Sequence, residues 1–155
     1  LIAQGLVSYQ ASGMRQNIYE QDGYQIYADC YNASPDAMEA TLSVLGGMAG
    51  EGRRFAVLGS MLELGDYAEE GHRRAGRAAA QYADALYAYG PDAAAMVAGA
   101  REKGMEHAYA FDDQTALVAA LREDAKKGDA LLFKGSRGMR MERALAMFLG
   151  EEVEA

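Results

Sequence analysis

Short apolar runs of strand length alternate with longer segments of helical period along most of this chain, and no other feature constrains its fold as much. The runs are 55–58 (Phe-Ala-Val-Leu), 85–89, 107–111 and 130–133 (Ala-Leu-Leu-Phe), the last being the most hydrophobic. Between them lie an Ala-rich helix over 69–82 and a helix opened by Pro91. A third helix, capped by Asp113, runs to Lys127 with Ala116, Leu117, Ala120 and Leu121 inward. A last helix over 140–149 closes the chain. Strands that alternate with helices imply a parallel sheet covered on both faces, and the right-handed crossover rule makes that sheet doubly wound.

The beginning of the chain follows another pattern. Residues 16–20 and 24–29 read as two short strands around Gln21-Asp22-Gly23, a hairpin turn with Asp-Gly at its centre. After Asp29 the period changes: Pro35 and Asp36 open a helix in which Met38, Leu42 and Leu45 share a face, and Gly46-Gly47 ends it. The expected fold is therefore α/β: Rossmann-like and doubly wound, with a mostly parallel sheet and an antiparallel N-terminal hairpin. The 155 residues suit a single domain with one core. In such sheets function sits at the carboxyl ends of the strands, which selects four loops: 29–34, 59–65, 90–92 and 134–137.

Composition removes several function classes. The formal net charge of -8 argues against a nucleic-acid binder, which needs a basic surface to neutralise phosphates. No apolar run approaches the ~20 residues that span a bilayer, so no membrane role is expected. The single cysteine, Cys30, excludes an intrachain disulfide and fits a reducing, cytoplasmic setting. The start shows no basic signal region and no initiator Met, so a fragment of something longer is expected. One cysteine with His72 and His107 makes no plausible zinc cluster. Neither a P-loop nor a G-x-G-x-x-G fingerprint is present, so no complete stand-alone catalytic apparatus can be assembled.

Four features carry chemistry, each beside a plainer alternative. Asp29-Cys30-Tyr31-Asn32-Ala33-Ser34-Pro35 places a carboxylate at a strand end, where it could accept two hydrogen bonds from a ribose diol; alternatively Asp29 or Ser34 only caps the next helix. Arg15, approached through Gly13, is either a surface charge or an arginine delivered to a phosphate held by another domain. The loop from Leu58 to Gly65 would normally be packing, and His72 a polar surface residue or a cap. Lys134-Gly135-Ser136-Arg137-Gly138 offers two cations, a hydroxyl and two glycines at a helix start, which makes either an anion pocket or solvated strand punctuation. Met139, Met141, Leu145 and Phe148 read as core.

Together, the 29–35 and 58–65 segments, His72, and Lys134-Gly135-Ser136-Arg137 followed by Met141-Glu142 resemble the C-terminal domain of the Mur ligases, of the MurF type. The resemblance runs from about residue 5 to 149 and makes the chain, 1–155, that domain of a three-domain enzyme. Ser34 departs from the family's usual Asn, and Gly13-Met14-Arg15 from its frequent Gly-Arg. The resemblance implies an N-terminal domain that holds the UDP-sugar and a central domain that carries the P-loop and magnesium. It also implies ATP-dependent addition of D-alanyl-D-alanine to UDP-N-acetylmuramoyl-tripeptide through an acyl phosphate, in peptidoglycan biosynthesis. By the same resemblance Arg15 would contact the ATP phosphates and act in catalysis. Asp29, Tyr31 and Asn32 would bind the nucleotide, and Lys134, Gly135, Ser136 and Arg137 the amino substrate. The isolated chain would be inactive. A stand-alone Rossmann-like binding module is the alternative. A phospho-receiver domain fits less well, because Cys30 stands where its second acid should be.

Overall fold

The Asp22-Gly23 pair sets the register of the first hairpin. Both residues have positive φ (55° and 90°), as a tight two-residue turn demands, and Gln21 faces Tyr24 across the turn. The structure, a computed structural model, describes residues 7–8, 17–31, 33–48 and 50–153. Arg15 and Asn32 lie outside the described residues. Strand β2 (Asn17–Gln21) pairs antiparallel with β1 (Val7–Ser8) and β3 (Tyr24–Asp29). The remaining strands are β4 (Arg54–Gly59), β5 (Ala85–Tyr89), β6 (Ala108–Phe111) and β7 (Ala130–Lys134). All seven described strands form one sheet in the order β1-β2-β3-β7-β4-β5-β6, parallel from β3 onward.

Five helices among the described residues cover the sheet. Helix α1 (Pro35–Gly46) starts where Ser34 Oγ accepts the Ala37 N–H at 3.1 Å and Pro35 fits the first turn. With α2 (Ala68–Tyr82) and α3 (Ala93–Glu102) it buries Met38, Leu42, Leu45, Ala79 and Met96 against Tyr27, Ala56, Leu58, Leu86 and Leu132 of one sheet face. Helices α4 (Gln114–Asp124) and α5 (Met141–Phe148) cover the other face, where Leu117, Leu121, Leu145 and Phe148 meet Ile26, Phe55, Val57, Leu131 and Phe133. Burial on both faces explains why β4 and β7 are continuously apolar rather than alternating. No described helix is long and apolar enough to cross a membrane.

Among the boundaries that differ from the sequence expectation, three have an identifiable cause. Helix α3 begins at Ala93 rather than at Pro91, because the Ala93 N–H turns back to the Gly90 carbonyl and Pro91-Asp92 becomes a turn. Helix α4 stops at Asp124 and not at Lys127. The Arg53 guanidinium takes the Asp124 carbonyl, and Asp129 Oδ2 accepts the Lys126 N–H at 2.8 Å to close the following turn. Helix α5 begins at Met141, after a 3-10 turn at Arg137–Met139 and a left-handed Arg140. The loop after β7 therefore reaches α5 through an extra turn instead of opening the helix directly.

Of the places where neighbouring connections diverge, the one between β3 and β7 lies beside the candidate loops. The connection after β3 runs to α1 on one face, whereas that after its parallel neighbour β7 runs to α5 on the other. Divergence of neighbouring connections opens a crevice at the strand carboxyl ends.

Candidate functional site

Asp29 and Lys134, the last residues of β3 and β7, are direct register partners at this carboxyl end. The Lys134 ammonium donates to Asp29 Oδ2 at 2.6 Å. Both are nearly excluded from solvent: Lys134 is 1% exposed and Asp29 5%. Two charges removed from water this far hold each other in place, because losing either partner would strand the other. Cys30 follows Asp29 and turns inward, its thiol donating weakly to the Phe133 carbonyl at 3.5 Å. Burial pushes the thiol up to about 12, and the negative charges of Glu142 and Asp29 add to that, so Cys30 is an inert filler and not a nucleophile.

Tyr31 and Arg137 form the rim. Tyr31 is 40% exposed, and the Arg137 guanidinium, also exposed, sits 5.7 Å from its ring centroid, within cation–π range. The residues expected to bind nucleotide and those expected to bind amino substrate thus meet at two levels, the buried ion pair and the exposed cation–π contact. The four 134–137 residues are not alike. Arg137 is the exposed cation, while Lys134 is buried and paired. Gly135 packs against Gly59, where an added Cβ would stand 3.0 Å from the Gly59 Cα and 2.9 Å from Met141 Cγ. Ser136 Oγ accepts the Leu62 N–H at 2.8 Å, and its own N–H reaches the Ser60 carbonyl at 3.2 Å.

Those contacts bind the loop after β4 to the loop after β7. A fully buried Ser60 links both to the loop after β5: its Oγ accepts the Asp92 N–H at 3.0 Å, and its N–H donates to the Tyr89 carbonyl. His72 completes the arrangement, and here the expectation of a surface residue is corrected. It is fully buried; Nε2 accepts the Met61 N–H at 2.8 Å, and Nδ1 donates to the Ala68 carbonyl at 2.6 Å. Both ring nitrogens are used, which fixes the neutral tautomer with the proton on Nδ1. The Asp92 carboxylate stands 3.7 Å from Nε2. A histidine one turn into an amphipathic helix gives no hint of this, because its partner loop lies on the preceding connection.

Sequence reasoning also missed Gln114. Buried at the start of α4, it donates from Nε2 to the carbonyls of Met139 and Arg140, at 3.0 Å each. It holds the segment that links the 134–137 loop to α5. Among the described residues no group of three or more His, Cys, Asp or Glu side chains is placed to hold a metal.

Comparison with known proteins agrees with the geometry. Residues 14–137 match the family model described as Mur ligase, glutamate ligase domain. The chain is 36% identical over 143 residues to the UDP-N-acetylmuramoyl-tripeptide–D-alanyl-D-alanine ligase of Bacillus subtilis, covering 90% of this chain and 31% of that protein. The ligase of the same name from Synechocystis is 39% identical over 126 residues, covering 79% and 27%. Among solved structures, the MurF ligase of Thermotoga maritima in complex with ADP superimposes with a TM-score of 0.76 at 35% identity, over 88% of this chain and 30% of that one. MurF from Acinetobacter baumannii gives 0.79 at 30% identity, over 88% and 30%. The chain spans about a third of the length of the curated relatives it matches. It belongs to the Mur ligase family, as the C-terminal domain of the MurF type.

Proposed function

We propose that this chain is the nucleotide-closing and amino-substrate domain of an ATP-dependent ligase that adds D-alanyl-D-alanine to UDP-N-acetylmuramoyl-tripeptide in the cytoplasm. The observation that carries the reading is the contact at the β3/β7 carboxyl ends, where an exposed aromatic ring and an exposed guanidinium meet. ATP would transfer its terminal phosphoryl group to the tripeptide carboxylate and leave as ADP, and the dipeptide amine would then attack the acyl phosphate, forming the amide and expelling phosphate. Magnesium, the P-loop and the UDP-sugar site belong in this reading to domains outside the chain.

The residues of this chain would bind and orient. Tyr31 would offer a π face to the nucleotide, and Asn32, the next residue in the sequence, is proposed to bind it as well. Asp29, with Oδ2 held by Lys134, would offer its carboxylate to a ribose hydroxyl. Arg15 would meet the phosphates on domain closure. Arg137 is the better placed of the two loop cations to receive the free carboxylate of the dipeptide, because Lys134 is buried and paired. Gly135 and Ser136 would set the loop's path. A charge-assisted hydrogen bond to that carboxylate contributes roughly 1.5–3 kcal/mol.

The test is Arg137→Ala in the full-length ligase. The KM for D-alanyl-D-alanine should rise about 10- to 150-fold on that estimate, with the KM for ATP within a few-fold. A rise in the ATP KM alone would move the loop to the nucleotide site. The isolated chain should turn over no ATP, and calorimetry should give at best millimolar ATP binding, since a few net hydrogen bonds of about 1 kcal/mol cannot offset the cost of association.

A further inference from the structure

We propose that Lys134 is a positioning residue, not a substrate ligand, and that its ion pair with Asp29 joins the two substrate-facing loops into one mechanical unit. The proposal rests on the reading above, in which Tyr31 faces the nucleotide and Arg137 the amino substrate.

Three observations support it. Lys134 closes β7 and leads directly into Gly135-Ser136-Arg137, while Asp29 closes β3 and leads into Cys30-Tyr31. The two chain segments diverge to opposite faces of the sheet immediately afterwards, to α1 and to α5. The pair is thus the last point at which the loops are held by the sheet. Second, the ammonium is 1% exposed and 2.6 Å from Asp29 Oδ2, so it has no open path to a ligand carboxylate and its charge is already matched. Third, the same two loops touch again at the rim through Arg137 and Tyr31. Two crosslinks, one buried and one exposed, make a hinge-free bracket: a displacement of the Lys134 end carries the Asp29 carboxylate and the Tyr31 ring with it.

Removal of the lysine charge has a definite consequence. A carboxylate left buried without its cation either rotates toward water or takes up a proton. In both cases the face it turns toward a ribose changes, although Lys134 itself touches no nucleotide. At the other end the loop keeps its Ser136 hydrogen bonds to the loop after β4 but loses its side-chain tie to β3, which loosens the start of the segment that carries Arg137. A direct ligand would disturb one substrate; a bracket disturbs both.

The experiment uses the full-length ligase with Lys134→Met, Lys134→Arg, Asp29→Asn and the double variant Asp29→Asn/Lys134→Met, and reads both KM values beside thermal stability. Lys134→Met should raise the KM for ATP and the KM for D-alanyl-D-alanine together, each about tenfold or more, as for residues that act as one unit. Lys134→Arg, which keeps the cation, should recover most of both. The double variant should be no worse than the poorer single variant, since it leaves no unpaired charge. A rise confined to the dipeptide KM would make Lys134 a direct ligand and overturn the proposal. A lower melting temperature with both KM values unchanged would make the pair purely structural. Should Lys134→Met fail to fold, the double variant and Lys134→Arg decide alone: an unchanged KM for D-alanyl-D-alanine in the folded double variant, which has lost the whole pair, overturns the bracket. Arg137→Ala separates this from the underlying reading: if it moves the ATP KM and not the dipeptide KM, the substrate assignment fails, whereas a joint response to Lys134→Met would still stand for the linkage.

Discussion

The Lys134 ammonium and the Asp29 carboxylate meet at 2.6 Å across two adjacent parallel strands, in register and almost without solvent. Breaking such a pair from one side leaves an uncompensated buried charge and costs about 3–5 kcal/mol, whereas replacing both partners is much milder. Lys134→Met should therefore destabilise the chain by that amount in urea unfolding, and Asp29→Asn/Lys134→Met by clearly less. Equal losses in the single and double variants would mean that the pair's charges are not desolvated as the geometry requires.

The buried acid groups predict a loss of stability at alkaline pH. Burial pushes the Cys30 thiol up to about 12, and also raises the phenols of Tyr87, Tyr27 and Tyr19. For Tyr87 a hydrogen bond donated to Asp124 adds to the effect. In each case the folded state holds its proton more tightly than the unfolded chain. The corresponding stability is complete below the ordinary values of about 8.5 for thiol and 10 for phenol, and is lost as pH rises through the folded values. Melting temperature should stay level around neutrality and fall from about pH 9 upward. Cys30→Ala should shift the start of the decline toward pH 10, and a decline that begins at the same pH would remove Cys30 as its cause. A thiol reagent at pH 8 should label Cys30 only on the unfolding timescale.

Helices α2 and α3 cross at two glycines with almost no room to spare. An added Cβ would stand 1.9 Å from the Met96 carbonyl oxygen at Gly76, and 2.1 Å from the Arg73 carbonyl oxygen at Gly99. Neither obstacle is a flexible side-chain end, so the helices must part. Gly76→Ala would ordinarily help a helix by roughly 1 kcal/mol; here overpacking should outweigh that and cost about 1–3 kcal/mol net. Gly104, with open space around it but a φ of +90°, is the informative contrast: Gly104→Ala suffers only backbone strain. A Gly76→Ala variant at or above native stability would show that the helices can separate freely.

Element type and order were legible in the sequence, because strand and helix periods are short-range signals. The Asp22-Gly23 turn, the Ser34 and Asp113 caps and the apolar 130–133 run are each written in a few consecutive residues. The carboxyl-end location of the site followed from the topology those elements permit. Pairings between distant residues left no such trace. Nothing near Asp29 announces that Lys134, 105 positions later, takes its carboxylate, and nothing near His72 announces the Met61 N–H as its partner. The family pattern picked out Lys134 and Arg137 as a pair, but only the register of β3 on β7 separates the buried cation from the exposed one. The end of α4 and the start of α5 escape the sequence for the same reason: Arg53, Asp129 and Gln114 set them from elsewhere in the chain.

Gln114 and Arg140 oppose each other, and the balance can be measured. Arg140 occupies the left-handed region at φ 54° just before α5, a conformation that costs a non-glycine residue about 1–2 kcal/mol. The Gln114 amide compensates by donating to the carbonyls of Met139 and Arg140, while its own Oε1 stays buried without a partner. Replacing Arg140 with Gly should relieve the strain and raise stability by up to about 1 kcal/mol, because glycine enters this region freely. Gln114→Leu should do the opposite: two carbonyls lose their donor, at about 1 kcal/mol each, offset in part by removal of the unpartnered Oε1. The net loss should be about 1–2 kcal/mol, and the double variant should lie between the two. The segment also delivers Arg137, so Gln114→Leu in the full-length ligase should raise the KM for D-alanyl-D-alanine by a few-fold, with a smaller rise in the KM for ATP. Unchanged stability in Gln114→Leu, with Arg140→Gly destabilising, would mean that the left-handed turn is held by the Arg140 side chain and not by the glutamine beneath it.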